Sequence, residues 1–162
     1  MSDTSLFVNM VLLQWESQNK RSEKLFNSLS DERFMDEVSE GRNTGHYLLG
    51  HLAAVNDSLF AILELGQPLH PELEEPFVTL ADRSGQEMPS VEELRVYWNE
   101  ITQTLTKKFR EMKPSEWFTK HSLVNAEDFA KEPHRNKLNV LITRIVHQGY
   151  HLGQIALLNT KP

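Results

Sequence analysis

The sequence predicts an all-α fold, a four-helix bundle, and three observations support this class. Apolar residues recur at helical spacing in four segments, and glycine and proline collect in the gaps between these segments. No segment alternates between apolar and polar residues as a half-buried strand does. A chain of 162 residues has the length of one ordinary domain, so we assign residues 1–162 to a single bundle.

The first predicted helix runs from about Thr4 to Leu29 and carries one apolar stripe, which Asn19 and Ser22 interrupt. Its N-terminal part is apolar around most of the helix, which is more than one face of a bundle needs. The residues of this part are Leu6, Phe7, Val8, Met10, Val11, Leu12 and Leu13. We therefore expect a homodimer in which this helix contributes to the interface.

The second predicted helix runs from about Thr44 to Leu65, with Asn43 or Thr44 as its N-cap and Gly66 placed to terminate it. On this helix, Leu48, Leu52, Val55 and Leu59 define the buried side.

The third predicted helix has the clearest start, because Ser90 and Glu93 form a capping box directly after Pro89. It ends at Lys113–Pro114. The fourth predicted helix runs from about Lys137 to Asn159 and has a wide apolar face.

Two long loops join the second helix to the third and the third helix to the fourth. Each has about 24 residues, whereas roughly two to eight usually join the helices of a bundle. Loops of this length can cross over a bundle or cover a site. A crossing loop before the third helix permits an up-down-down-up order, which makes the second and fourth helices antiparallel.

Composition and charge exclude several classes of function. The chain has no cysteine, which rules out disulfides, thiolate nucleophiles, iron–sulfur clusters and cysteine-based zinc sites. Its net charge of −6 has the wrong sign for a protein whose main ligand is nucleic acid. No apolar run approaches the roughly 18 to 20 residues of a membrane helix, and no basic residue precedes the apolar N-terminal stretch. We expect a cytoplasmic protein without a membrane partner.

The charge is distributed unevenly along the chain. Residues 107–144 hold nine lysines and arginines and five acidic residues, a local net charge of +4, whereas the remaining residues carry −10. Because the basic residues are dispersed, they fit a solvated surface. The alternative is a mildly basic rim that attracts a small acidic substrate.

The predicted chemistry depends on histidines of the fourth helix. His147 and His151 are spaced i, i+4, so both imidazoles can reach one metal ion. Gln154 returns to nearly the same face, where it can orient a ligand. Arg144 lies towards that side, where it can receive a carboxylate or extend to solvent.

His51 on the second helix is the third candidate ligand. His46 lies about 140° around the helix from His51, so the two cannot easily bind the same ion. His51 lies about 10 Å from the start of its helix and His151 about 12 Å from the end of the fourth, so antiparallel helices bring them level. We expect the loop histidines at the surface: His70, His121 and His134.

Other catalytic motifs are absent. Gln148 stands where the HExxH motif of zinc peptidases has its glutamate, and no glutamate stands three residues before a helical histidine, as in di-iron bundles. The chain also lacks a GxSxG elbow and a glycine-rich phosphate loop.

Two segments resemble the DinB/YfiT-like superfamily: GRNTGHYLLGHLAAVND from residue 41 and RIVHQGYHLGQIALL from residue 144. The resemblance spans the second helix to the C-terminus. It implies a four-helix bundle that binds a divalent metal through His51, His147 and His151, with Gly153 and Gln154 completing the HxxxHxGQ-type segment. Many relatives have glutamate where this chain has Gln148. This chain therefore lacks an acidic side chain that could tune the metal site.

Three imidazoles leave at least one coordination position open, as catalytic metal sites do. We expect Zn²⁺ or Ni²⁺ first, and Fe and Cu also suit such ligands. The metal can activate water or stabilise a thiol as its thiolate. The resemblance implies the second use, because characterised relatives include transferases and isomerases that use low-molecular-weight thiols. Others in the superfamily are described as hydrolases or have no known activity.

Two functional hypotheses follow. The first is a metal-dependent enzyme, a thiol-dependent S-transferase or related hydrolase that acts on a small electrophilic molecule; its catalytic residues are not assigned. Tyr47, one turn before His51, is then a packing residue or a substrate contact. The alternative is a non-enzymatic stress-related or interaction protein, a helical dimer with a structural or vestigial metal site. A deep pocket over the histidines favours the enzyme, and a site plugged by side chains favours the alternative.

Overall fold

The computed structural model describes residues 2–160, and within them the chain is helical, which confirms the predicted all-α class. The helices are α1 (Asp3–Ser28), α2 (Asp31–Phe34), α3 (Gly45–Asp57), α4 (Leu59–Ile62), α5 (Val91–Glu111), α6 (Ala126–Lys131) and α7 (Lys137–Ala156). The long helices α1, α3, α5 and α7 correspond to the four predicted ones. No helix among the described residues is both long enough and apolar enough to cross a bilayer.

The four long helices pack in a ring, because α1 and α3 each contact both α5 and α7. Contacts between helix ends give the directions. Arg95, near the start of α5, donates to the carbonyl of Leu29 just after α1, so these two helices are antiparallel. His46, near the start of α3, bonds to the carbonyl of Pro89 just before α5, so these two are parallel. Gly45 lies against the turn that follows α7, so α3 and α7 are antiparallel. These contacts agree with the predicted up-down-down-up order.

The polar interruption of the α1 stripe is a buried hydrogen-bond network. The Gln148 amide of α7 donates to Asn19 Oδ1 at 2.9 Å and to Ser22 Oγ at 3.0 Å. Ser22 and Gln148 are fully buried. Gln148 therefore ties α7 to α1. Gln148, which stands where many relatives have glutamate, has a structural role here, because its side chain bonds across to α1.

The second predicted helix is not continuous, and its end is earlier than expected. Ser58 separates α3 from α4, and its hydroxyl donates to the carbonyl of Val55 at 2.8 Å. Such local bonds from serine compete with regular helical bonding. The chain then turns at Glu64, which has a φ of 61°. The left-handed residue that ends this segment is thus Glu64 rather than Gly66.

Both long loops contain short helices that the sequence pattern did not indicate. The first holds a 3₁₀ turn at Pro71–Leu73 and a π turn at Glu75–Thr79, and the second holds a 3₁₀ turn at Pro114–Phe118 and then α6. Each loop is anchored by one fully buried aromatic side chain, Phe77 or Trp117. The Trp117 ring packs edge-on against Phe109 of α5, with ring centroids 5.3 Å apart.

His70 is largely covered, contrary to the expected surface position, with 13% of its side chain exposed. Its ring stacks on Tyr97 with centroids 4.0 Å apart. Its two ring nitrogens lie 3.1 Å from a Glu72 carboxylate oxygen and 3.0 Å from one of Glu100. Burial lowers the pKa of His70, but the hydrogen bonds to Glu100 and Glu72 outweigh burial, so the pKa is raised above 6.5.

We expect His70 to stabilise the fold more at acidic than at alkaline pH. Because its folded-state pKa is raised, the stabilisation is complete below pH 6.5 and is lost as the pH rises through the raised value. The Glu72 and Glu100 carboxylates are more than half exposed, so we expect protonated His70 to add only about 0.5–1 kcal/mol to the free energy of unfolding. Urea unfolding of the wild type and His70→Gln at about pH 6 and about pH 8.5 measures it. If His70→Gln lowered the free energy of unfolding equally at both pH values, the prediction would be contradicted. His134→Gln, in an exposed loop, is the control.

Candidate metal centre

Three imidazoles from two antiparallel helices meet in one cluster. We call this group, His51 of α3 with His147 and His151 of α7, the histidine cluster. The Nε2 atom of His147 lies 3.3 Å from Nε2 of His51 and 3.1 Å from Nε2 of His151. One ligand nitrogen of each residue lies within 4.8 Å of the other two.

This spacing suits one small metal ion. A tetrahedral ion with metal–nitrogen distances of roughly 2.0–2.1 Å holds two ligand nitrogens about 3.3 Å apart. The separations of 3.1 and 3.3 Å around His147 match that value without rearrangement of the helices.

The outer nitrogens of two of the rings determine which nitrogen faces the centre. His51 Nδ1 lies 2.8 Å from the carbonyl oxygen of Phe77, and because a carbonyl only accepts, Nδ1 carries the proton and donates. His151 Nδ1 lies 2.7 Å from Oε1 of Gln154 and donates in the same way. The Nε2 atoms of His51 and His151 therefore present lone pairs to the centre, which is the arrangement of metal-bound histidines.

His147 differs from the other two, because its Nδ1 is buried and has no hydrogen-bond partner within residues 2–160. Its Nε2 faces the lone pairs of both neighbouring rings. A cation at the centre would bind all three lone pairs, so the donor set fits a divalent metal.

The surroundings keep the three imidazoles neutral. Burial is the main cause that lowers the pKa of His147 to about 4, and charge repulsion from His151, Arg144 and His51 contributes the rest of the shift. Burial also lowers the pKa values of His51 and His151, although their bonds to Phe77 and Gln154 partly offset it. Neutral imidazole is the form that binds a metal, so protons compete little with the ion at neutral pH.

The other predicted site residues lie beside the cluster or away from it. The Tyr47 hydroxyl donates to the carbonyl of Leu80 at 2.8 Å, and its ring lies nearly parallel to His51, with centroids 6.3 Å apart. Tyr47 therefore packs against His51 and is itself hydrogen-bonded to the first long loop through Leu80. His46 bonds to Pro89 at 2.7 Å and takes no part in the cluster.

An open cleft of about 450 Å³ adjoins the histidine cluster. It lies between α7 and the second long loop and is lined by Ile62, His121, Leu123, Arg135, Asn139, Val140, Thr143, Arg144 and His147. Arg144 lies here, as the sequence suggested. His121 was expected at the surface, and no sequence signal placed it in the cleft, because its position depends on how the loop folds back.

Comparison with known proteins agrees with this architecture. The DinB superfamily model matches residues 14–155. The crystal structure of a conserved protein from Enterococcus faecalis has the same fold, with a TM-score of 0.62, 15% identity and 99% of each chain covered. A search of curated proteins found no match. Because the family model covers most of the chain, including α3 and the histidines of α7, the chain belongs to the DinB superfamily.

Proposed function

We propose that this protein is a metal-dependent enzyme, a thiol-dependent S-transferase that acts on a small electrophilic molecule. In this proposal His51, His147 and His151 hold a divalent transition metal, with Zn²⁺ or Ni²⁺ as the first candidates. A related hydrolase would use the same site. The chain has no cysteine, so the reacting thiol is a co-substrate rather than a side chain.

The observation that carries this proposal is the cleft beside the histidine cluster. His147 belongs both to the cluster and to the lining of the cleft, whose volume of about 450 Å³ suits a small molecule. A structural metal site is closed by four protein ligands, whereas this cluster offers three imidazoles. An open site next to a cleft favours the enzyme over a structural or vestigial site.

The residues around the cluster have separate roles in this proposal. A metal bound there would supply Lewis acidity and an open coordination position. Phe77 and Gln154 hold the rings of His51 and His151 in the ligand orientation. Arg144 and His121 contact the substrate from the cleft.

The proposal is tested by a thiol-transfer assay. Zinc-loaded and nickel-loaded protein is mixed with a low-molecular-weight thiol and an aryl halide, and loss of free thiol is followed. We expect transfer that requires the metal and disappears after chelation. Release of halide without loss of thiol indicates the related hydrolase, and no turnover of either kind with a fully loaded site favours the non-enzymatic alternative.

We also propose that the protein forms a homodimer through α1. Leu6, Phe7, Met10 and Leu13 are each between 48% and 54% exposed. Phe7 and Met10 also line an apolar groove of about 300 Å³ between α1 and α7. Exposed apolar area of this kind is typical of an interface.

Sedimentation velocity at micromolar concentration is expected to give a dimeric mass for the wild type and a monomeric mass for Met10→Glu, because a buried charge without a partner opposes association. Asn27→Glu, on an exposed part of the same helix, is the matched control and should remain dimeric. A monomeric wild type would remove the dimer from the proposal.

A further inference from the structure

Among the described residues, Arg144 is a charged side chain without an anionic partner. It is half-buried, and within the described part of the chain it forms no hydrogen bond or ion pair. Burial lowers its pKa to about 10, so the guanidinium stays charged at neutral pH. The other arginine of the cleft, Arg135, pairs with Glu132 at 3.2 Å. A charge held partly out of water without a partner destabilises a protein unless a ligand compensates for it.

The lining of the cleft is suited to an anion. It contains no aspartate or glutamate among the described residues, and besides the two arginines it has polar groups from His121, Asn139 and Thr143. His121 Nδ1 accepts a hydrogen bond from the backbone N–H of Leu123, so in the neutral ring Nε2 carries the proton and can donate. Apolar side chains complete the wall, so the cleft can also hold an apolar part of a ligand.

The cleft places such an anion close to the histidine cluster. Arg144 lies three residues before His147 on α7, which is about 4.5 Å along the helix axis. Both side chains line the same cleft. A small molecule held at Arg144 by one end can therefore reach the cluster with the other.

We propose that Arg144 binds an anionic oxygen group, a carboxylate or a phosphate, on a small molecule whose apolar part packs against Ile62 and Leu123. Guanidinium binds both kinds of group through two parallel hydrogen bonds. This anion site lies in the cleft that the proposed function assigns to the substrate, so the inference rests on the proposed function. The inference adds that the substrate or the co-substrate thiol is anionic.

Binding of three related probes tests this site: benzoate, its neutral analogue benzamide, and phenyl phosphate. Their affinities are measured by chemical-shift titration of isotope-labelled protein, both zinc-loaded and chelator-treated. We expect benzoate to bind at least about tenfold more tightly than benzamide in both forms, since a charge-assisted bond contributes that much. Phenyl phosphate shows which anionic group the site prefers.

Substitutions then assign the effect to Arg144. Arg144→Gln is expected to weaken benzoate binding about tenfold or more and to leave benzamide binding unchanged, and Arg144→Lys should keep part of the affinity. Arg21→Gln, an exposed arginine of α1, is the matched control. Circular dichroism and zinc content verify that each variant is folded and loaded. Arg135→Gln provides a second variant and should weaken benzoate binding to a smaller extent, because Arg135 already pairs with Glu132.

Two results would overturn the anion site. One is equal affinity of benzoate and benzamide for the wild type. The other is benzoate binding only to the zinc-loaded form and unchanged in Arg144→Gln, which would place the carboxylate on the metal. Absence of zinc from the wild type would instead contradict the proposed function, and chelator-treated protein would still test the anion site.

Discussion

His51→Ala and His151→Ala variants are expected to lose the metal. Wild-type protein purified without chelator, or reconstituted with Zn²⁺ or Ni²⁺, should hold about one equivalent of metal, because three Nε2 atoms converge on one position. Changes to groups that only orient a ligand typically lower metal affinity about 10- to 100-fold, so loss of a ligand should lower it by more than about 100-fold. Elemental analysis and competition with a chromogenic chelator measure these two quantities.

Two further variants separate ligation from orientation and from nonspecific binding. Gln154→Ala removes the group that accepts the hydrogen bond from His151 Nδ1. This variant should bind the metal about 10- to 100-fold more weakly but still hold it when metal is in excess. His134→Ala, in an exposed loop, should change nothing. Full metal occupancy in both His51→Ala and His151→Ala would show that the ion binds elsewhere.

Gly50→Ala is expected to destabilise the protein and to weaken metal binding together. A Cβ at position 50 would lie 2.2 Å from the Phe77 ring, so the ring must move. Overpacking of this kind costs about 1–3 kcal/mol. The backbone carbonyl of the same residue, Phe77, accepts a hydrogen bond from His51 Nδ1, with 2.8 Å between the nitrogen and the oxygen. Displacement of the loop should therefore release a candidate ligand as well as disturb the core.

Gly153→Ala is the matched control, because a Cβ there meets no neighbouring atom of residues 2–160 within 4 Å. In the last turn of α7 this change should raise the free energy of unfolding by up to about 0.5–1 kcal/mol, since alanine is the better helix former. Urea unfolding and zinc affinity of the two variants are compared. If Gly50→Ala binds zinc as tightly as Gly153→Ala does, the first long loop does not position His51.

Much of the fold could be predicted because its signals are local. The capping box at Ser90 and Glu93 forms both of its hydrogen bonds, and α1 lies within one residue of the predicted bounds at each end. The i, i+4 spacing of His147 and His151 brings their Nε2 atoms to 3.1 Å, since helix geometry alone places both on one face. The short helices of the loops were missed, because Phe77 packs against Tyr47 and the turn that carries Trp117 contacts α1 and α7, which are far away in sequence.

The sequence by itself determined the helical class, the family resemblance and the histidines that a metal would need, because periodicity, caps and spacing are properties of neighbouring residues. Tertiary structure alone decided which groups surround them. It turned Gln148 towards α1, covered His70 with two carboxylates, and brought His121 to the cleft beside Arg144. Those outcomes depend on how two long loops fold back over the helices, and no pattern within the loops records the partners that they meet there.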